Sequence, residues 1–106
     1  MKTALVCGGT GFIGVYLANA LNERGYKVTV YDKARNGYKY LNPQIDLELV
    51  DIRDHEFIQS FDYVYHLAAP SPVWDSSPMA EEHVSTNIWG TYNIVRSFPA
   101  SRVVFL

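Results

Sequence analysis

Residues 8 to 14 read Gly8-Gly9-Thr10-Gly11-Phe12-Ile13-Gly14. A stretch this rich in glycine continues neither a strand nor a helix, because glycine loses more backbone freedom on ordering than any other residue. It is therefore a turn, and its flanks say what it joins. Before it, Ala4-Leu5-Val6-Cys7 is a short, continuous apolar run, as in a strand buried on both faces of a parallel sheet. After it, apolar residues recur at helical spacing (Ile13, Leu17, Ala20, Leu21), and Gly25 closes the run as a helix C-terminal residue. The chain thus opens as strand, tight turn, helix.

The rest of the chain repeats that alternation. Residues 27–32 alternate and are β-branched at Val28, Thr29 and Val30, which predicts a second strand. Residues 34–42, rich in Asn, Gly and Tyr without an apolar period, predict a loop in which Tyr38 and Tyr40 pack. Residues 47–50 predict a third strand ending at Asp51, 54–61 a short helix, and 63–67 a fourth strand. Three prolines and three serines make 70–78 a loop. Residues 79–97 predict a long helix with Val84, Ile88, Tyr92 and Val95 on its buried stripe, and 102–106 a fifth strand. This is the pattern of an α/β fold: a parallel sheet with helices on both faces. Right-handed crossovers favour the strand order 3-2-1-4-5.

In that setting the glycine run has a chemical meaning. Gly9-x-Gly11-x-x-Gly14 and Gly8-x-x-Gly11-x-x-Gly14 both fit the fingerprint of a dinucleotide-binding, Rossmann-type turn. One glycine makes the turn, one lets the backbone approach a pyrophosphate, and Gly14 lets the helix pack closely on the strand. The free N–H groups and positive end of the helix face the anion. An acidic residue belongs about twenty positions further on, at the end of the second strand, to accept hydrogen bonds from the adenosine ribose. Asp32 stands there and predicts NAD over NADP, while Lys33 and Arg35 just beyond it favour a 2′-phosphate. No Gly-Lys-Ser/Thr follows the glycines, so the loop is not a P-loop.

Composition bounds what this turn can serve. The 106 residues suit one domain, 1–106, with 48 % hydrophobic and 19 % charged residues. The net charge of −2 supplies no general attraction to nucleic acid or anionic membrane. A single cysteine, Cys7, excludes an internal disulfide framework or a cysteine-rich metal site and suits a reducing, cytoplasmic setting. No stretch approaches the roughly 20 apolar residues of a membrane span, and the apolar run from Ala4 to Cys7 is too short for a signal sequence.

Further motifs stand in order along the chain: Asp51-Ile52, His66-Leu67-Ala68-Ala69, Asn87-x-x-Gly90-Thr91-x-Asn93 and Val103-Val104-Phe105. Together with the glycine turn and Asp32, these make the chain resemble the extended short-chain dehydrogenase/reductases. Within them it is most similar to the NAD-dependent nucleotide-sugar epimerases and dehydratases. The resemblance implies a cofactor site built from Gly8, Gly11, Phe12, Ile13 and Gly14, with Phe12 and Ile13 offering backbone N–H groups to the pyrophosphate. It implies that Asp32 binds the adenosine ribose, that Asp51 reaches the adenine amino group and that Ile52 packs on the adenine ring. Leu67, Ala68 and Ala69 would line the cofactor, and Asn87 would organise the site near the fifth strand. His66 reads as a packed strand-end histidine, His55 and His83 as surface residues, and Trp74 and Trp89 as core or interface residues.

The family's chemistry rests on a Tyr-x-x-x-Lys pair, whose lysine lowers the tyrosine pKa, and none of the eight tyrosines has lysine four positions on. Tyr31 and Tyr92 have arginines there, but Tyr31 lies beside the adenosine and Tyr92 on a buried helix face, so neither reads as a catalyst. No catalytic or metal-ligating set is assigned. The sequence therefore reads as the cofactor-binding part of an epimerase or dehydratase, truncated after the fifth strand and inactive alone. A nucleotide-sugar substrate would require further segments. The alternative is a free-standing, non-catalytic dinucleotide-binding or regulatory module. An apolar edge at 102–106 would invite self-association or docking.

Overall fold

The computed structural model describes residues 1–35, 37–53, 60–67, 90, 92–94 and 102–105. Five strands form one parallel sheet: β1 (Thr3–Cys7), β2 (Lys27–Asp32), β3 (Asp46–Leu49), β4 (Tyr63–His66) and β5 (Arg102–Phe105). Their order is β3-β2-β1-β4-β5, as expected. β1 lies at the centre, with Cys7 opposite Tyr31 on one side and His66 on the other.

Alternation along β1 divides the core between the two faces of the sheet, since successive strand side chains point to opposite sides. Leu5 and Cys7 join Tyr31, Ile52, Phe61, Val64 and Ile94 on one face. Ala4 and Val6 join Ala18, Leu21, Val28, Val30 and Ile45 on the other. Residues Ala4 to Cys7 are completely buried, consistent with a strand covered on both sides. Each fully buried aliphatic side chain contributes roughly 1.5–3 kcal/mol relative to exposure.

Helix α1 (Phe12–Glu23) covers the second face, laying Gly14, Ala18 and Leu21 on the sheet. It stops as expected at Gly25, which takes φ +90. There the N–H of Gly25 donates to Asn22 O and that of Tyr26 to Leu21 O, both at 3.1 Å, which satisfies the last carbonyls. A 3₁₀ turn at Tyr38–Tyr40 follows β2. Tyr38 and Tyr40 are exposed rather than packed, with Arg35 and Lys39 respectively lying over their rings.

Two expectations change. Ser60 and Phe61 are not helical, so no helix reaches 61; positions 54–59 lie outside the described residues. Of the long helix, positions 90 and 92–94 are described and helical. Its buried side runs through Gly90, Asn93 and Ile94, and Tyr92 is 57 % exposed. The stripe is turned because Gly90 sits against Ile52 and Asn93 bonds its carbonyl, which directs Tyr92 outward.

Candidate functional site

The carboxyl ends of β1, β2 and β3 carry the residues singled out in the sequence. β1 passes into the glycine turn at Gly8, whose N–H donates to Tyr31 O at 2.7 Å and whose φ of +85 favours glycine. A Cβ at Gly9 would fall 2.5 Å from the Val30 side chain. One at Gly14 would fall 2.3 Å from Gly8 O and 2.6 Å from Gly9 Cα. Gly14 therefore lets α1 approach the turn itself rather than the strand.

Gly11 differs from these three. Its φ of −74 and ψ of 175 suit any residue, and an added Cβ would have only ordinary contact, 3.6 Å from Gly8 O. Among the described residues nothing there requires a glycine. Gly11 is also the N-cap of α1, with no side-chain cap and no acidic residue in the first turn. The positive end of a 12-residue helix thus opens beside a position kept bare. The side chains of Phe12 and Ile13 point outward, 95 % and 58 % exposed.

Asp32 ends β2 and is tied to the glycine turn. Its Oδ2 accepts from Thr10 N at 3.0 Å and Thr10 Oγ1 at 2.6 Å, and its Oδ1 from Ala34 N at 3.2 Å. Its carbonyl accepts from Val50 N at 2.9 Å, bringing the end of β3 alongside. One turn further, the Asp51 carboxylate is gripped by Arg53. Arg53 N and Nε reach Oδ1 at 3.0 Å, and Nε also lies 3.1 Å from Oδ2. These bonds hold the Asp51 carboxyl below the usual carboxylate range.

Ile52, expected to pack on the adenine ring, follows Asp51 after β3. It is 4 % exposed and belongs to the core. Gly90 packs on it so closely that a Cβ there would meet Ile52 Cδ1 at 2.6 Å, and Asn93 Nδ2 donates to Ile52 O at 2.9 Å.

A model of the NAD dependent epimerase/dehydratase family matches residues 4–106. The chain belongs to that family. It is 36 % identical over 104 residues to a UDP-N-acetyl-alpha-D-glucosaminuronate decarboxylase of Bacillus cytotoxicus, covering 91 % of this chain and 32 % of that protein. A crystal structure of a UDP-galactose 4-epimerase superposes with a TM-score of 0.84 at 34 % identity, over 97 % of this chain and 37 % of that one. A Thermus thermophilus UDP-glucose 4-epimerase, solved in complex with NAD, gives 0.77 at 29 % identity, over 90 % of this chain and 33 % of that one. The chain spans about a third of the length of the curated relatives it matches.

In this epimerase/dehydratase family member, Leu67 follows β4, half-buried, with its N–H on Cys7 O at 2.8 Å. Ala68, Ala69 and Asn87, and likewise His55, His83, Trp74 and Trp89, lie outside the described residues. His66 is buried, as expected of a packed strand-end histidine, and burial lowers its pKa. Burial pushes the Tyr31 phenol up to about 12, with Glu48 adding to the effect, so it is a poor base at neutral pH. Exposure of Tyr92 removes burial as a reason to set that residue aside. An open groove bounded by Gly11, Phe12, Tyr16, Asn19, Gly37 and Tyr40 runs along the outer face of α1, and neither Asp32 nor Asp51 lines it.

Three contributors escaped the sequence reading. In the sequence alone Thr10 is the residue between Gly9 and Gly11, although it is the turn's one polar side chain. Arg53 carries no motif signal of its own, and its role appears only in its contact with Asp51. Asn93 closes a recognised motif without an evident role.

Proposed function

We propose that this chain is the NAD-binding part of an oxidoreductase acting on nucleotide sugars by epimerisation, dehydration or a related reaction. The observation that carries the reading is Gly11: a bare, conformationally ordinary position at the uncapped start of α1. A glycine that no described neighbour requires is accounted for by a ligand that comes close to the backbone, and a helix N-terminus suits an anionic one. The pyrophosphate would lie along Gly8 to Gly14, against the N–H groups of Phe12 and Ile13. Asp32 would accept from the adenosine ribose, Asp51 would take the adenine amino group, and Leu67, Ala68, Ala69 and Asn87 would continue the site toward the nicotinamide.

Bound NAD supplies a reversible hydride acceptor for a sugar carbon. The chain's own residues bind and orient it. NAD is preferred to NADP in this reading, because a carboxylate at Asp32 repels a 2′-phosphate. A cytoplasmic setting accords with Cys7, a buried thiol that burial pushes up to about 12. β5 stands at one margin of the described sheet, so an added strand, from this chain or another, would pair along it.

Calorimetric titration of the folded chain with NAD and with NADP tests the reading. NAD should bind more tightly than NADP, lose binding on Gly11→Val and bind more weakly on Asp32→Ala. A folded chain that binds neither nucleotide overturns it. Turnover of a UDP-sugar by the chain alone would show that it also carries the proton-transfer groups, contrary to the non-catalytic reading.

A further inference from the structure

Thr10 is the one polar side chain in the glycine turn and is 2 % exposed. Both its backbone N–H and its hydroxyl reach the same oxygen, Asp32 Oδ2, at 3.0 and 2.6 Å. Ala34 N holds the other oxygen at 3.2 Å. A carboxylate oxygen accepts about two hydrogen bonds, so Oδ2 is filled and Oδ1 keeps one accepting position. The three donors fix how the carboxylate is turned. The segment after β2 also closes on this residue: Thr10 Oγ1 lies 3.0 Å from Ala34 O, and a Cβ on Gly37 would meet Thr10 O at 2.4 Å.

The hydroxyl has one proton for two acceptors, Asp32 Oδ2 and Ala34 O. The carboxylate is nearer and charged, so the proton lies toward it. Moving Asp32 aside would send that proton to Ala34 O but leave Thr10 N, inside the turn, without its acceptor.

This arrangement bears on which nucleotide is admitted. A 2′-phosphate on the ribose can enter only if Asp32 swings away, and Lys33 and Arg35, the cations that would welcome it, follow at once in the chain. We infer that Thr10 is a positioning residue that sets dinucleotide selectivity: by fixing the Asp32 carboxylate, it keeps the one open acceptor toward a ribose diol and bars a 2′-phosphate. The inference rests on the proposed NAD site.

The test is the ratio of NAD to NADP affinity, measured by calorimetry for wild type, Thr10→Val and Thr10→Ser. Thr10→Val keeps the shape and the backbone N–H but removes the hydroxyl. It should narrow the preference for NAD by about tenfold, the effect of losing one hydrogen bond to a charged group. Thr10→Ser should restore the wild-type ratio. If Thr10→Val does not melt cooperatively, Thr10→Cys, of similar size with a weakly donating thiol, reads the same ratio. Equal weakening of both nucleotides, or an unchanged ratio, would overturn the inference and leave Thr10 as turn packing only. A folded wild type that binds neither nucleotide would instead overturn the site itself, and the inference with it.

Discussion

The side-chain amide of Asn93 donates to the carbonyl oxygen of Ile52 across 2.9 Å, from a helix to the turn after β3. Asn93 is 6 % exposed, so this bond is made out of water. It lies one residue from Asp51 and ties the helix to that turn. Asn93→Leu keeps the bulk but leaves the Ile52 carbonyl without that donor. The expected loss is about 1–3 kcal/mol of stability, the cost of an unsatisfied buried group. Urea unfolding would measure it, and an unchanged midpoint would mean that water replaces the amide.

The glycine turn offers a sharper contrast. A methyl at Gly14 would sit 2.3 Å from Gly8 O, and that atom is backbone and cannot step aside cheaply. Gly14→Ala should lower stability by roughly 1–3 kcal/mol through overpacking. Gly11→Ala meets nothing closer than 3.6 Å and should change stability by less than about 1 kcal/mol, the scale of an N-cap change. It should nevertheless weaken NAD binding. Thermal melts and titrations on the same two proteins separate the roles; equal stability losses would refute the division.

Much of this architecture is written in local patterns. The limits of β2 (Lys27–Asp32) coincide with those expected from its β-branched alternation, and Gly25 ends α1 where a left-handed residue is needed. Periodicity is a property of neighbouring residues, so it survives in the sequence. The face that a helix buries is less legible. One residue's shift turns a side chain about 100° around the axis, and at Tyr92 the turn was decided by Gly90 and Asn93 meeting Ile52, some forty positions away. The link from Thr10 to Asp32 is likewise long-range and has no period. The fingerprint located Asp32 but could not say what holds it.

His66 adds a pH dependence. Burial lowers its folded pKa below the ordinary value of 6.5. Between those two values the unfolded chain binds more protons than the folded one, so stability rises with pH. The contribution is complete above 6.5 and is lost as the pH falls from there through the folded value. His66→Gln should flatten the part of the slope just below pH 6.5 that this residue supplies. Melting temperatures across that range would show it, and an unchanged slope would assign the dependence to other groups.

Cys7 should be chemically silent in the folded protein. It is completely buried at the end of β1, the central strand, and burial, with a smaller contribution from the Asp32 charge, pushes its thiol up to about 12. The thiolate is the reactive form, so an aromatic disulfide reagent at pH 8 should label almost none of the native protein. After unfolding in guanidinium the single thiol should be labelled fully. Rapid labelling without denaturant would mean that β1 opens readily.

Arg53 and Asp51 form an ion pair that is partly open to water, with 25 % of each side chain's surface exposed. Screening limits such a pair to less than about 1 kcal/mol. The Asp51 carboxyl is held below its ordinary 3.8, chiefly by the Arg53 hydrogen bonds. Its stabilisation is therefore present above 3.8 and lost as the pH falls through the depressed folded value. Arg53→Ala should destabilise the protein slightly at pH 7, and the two unfolding curves should draw together as the pH falls below 3.8. The same substitution removes the guanidinium from both Asp51 oxygens and leaves only the backbone N–H of residue 53 on Oδ1, so the affinity for an adenine nucleotide should rise if that carboxylate takes the adenine amino group. A stability difference that does not shrink as the pH falls below 3.8 would show that Arg53 acts through packing, and unchanged nucleotide affinity would remove Asp51 from the proposed site.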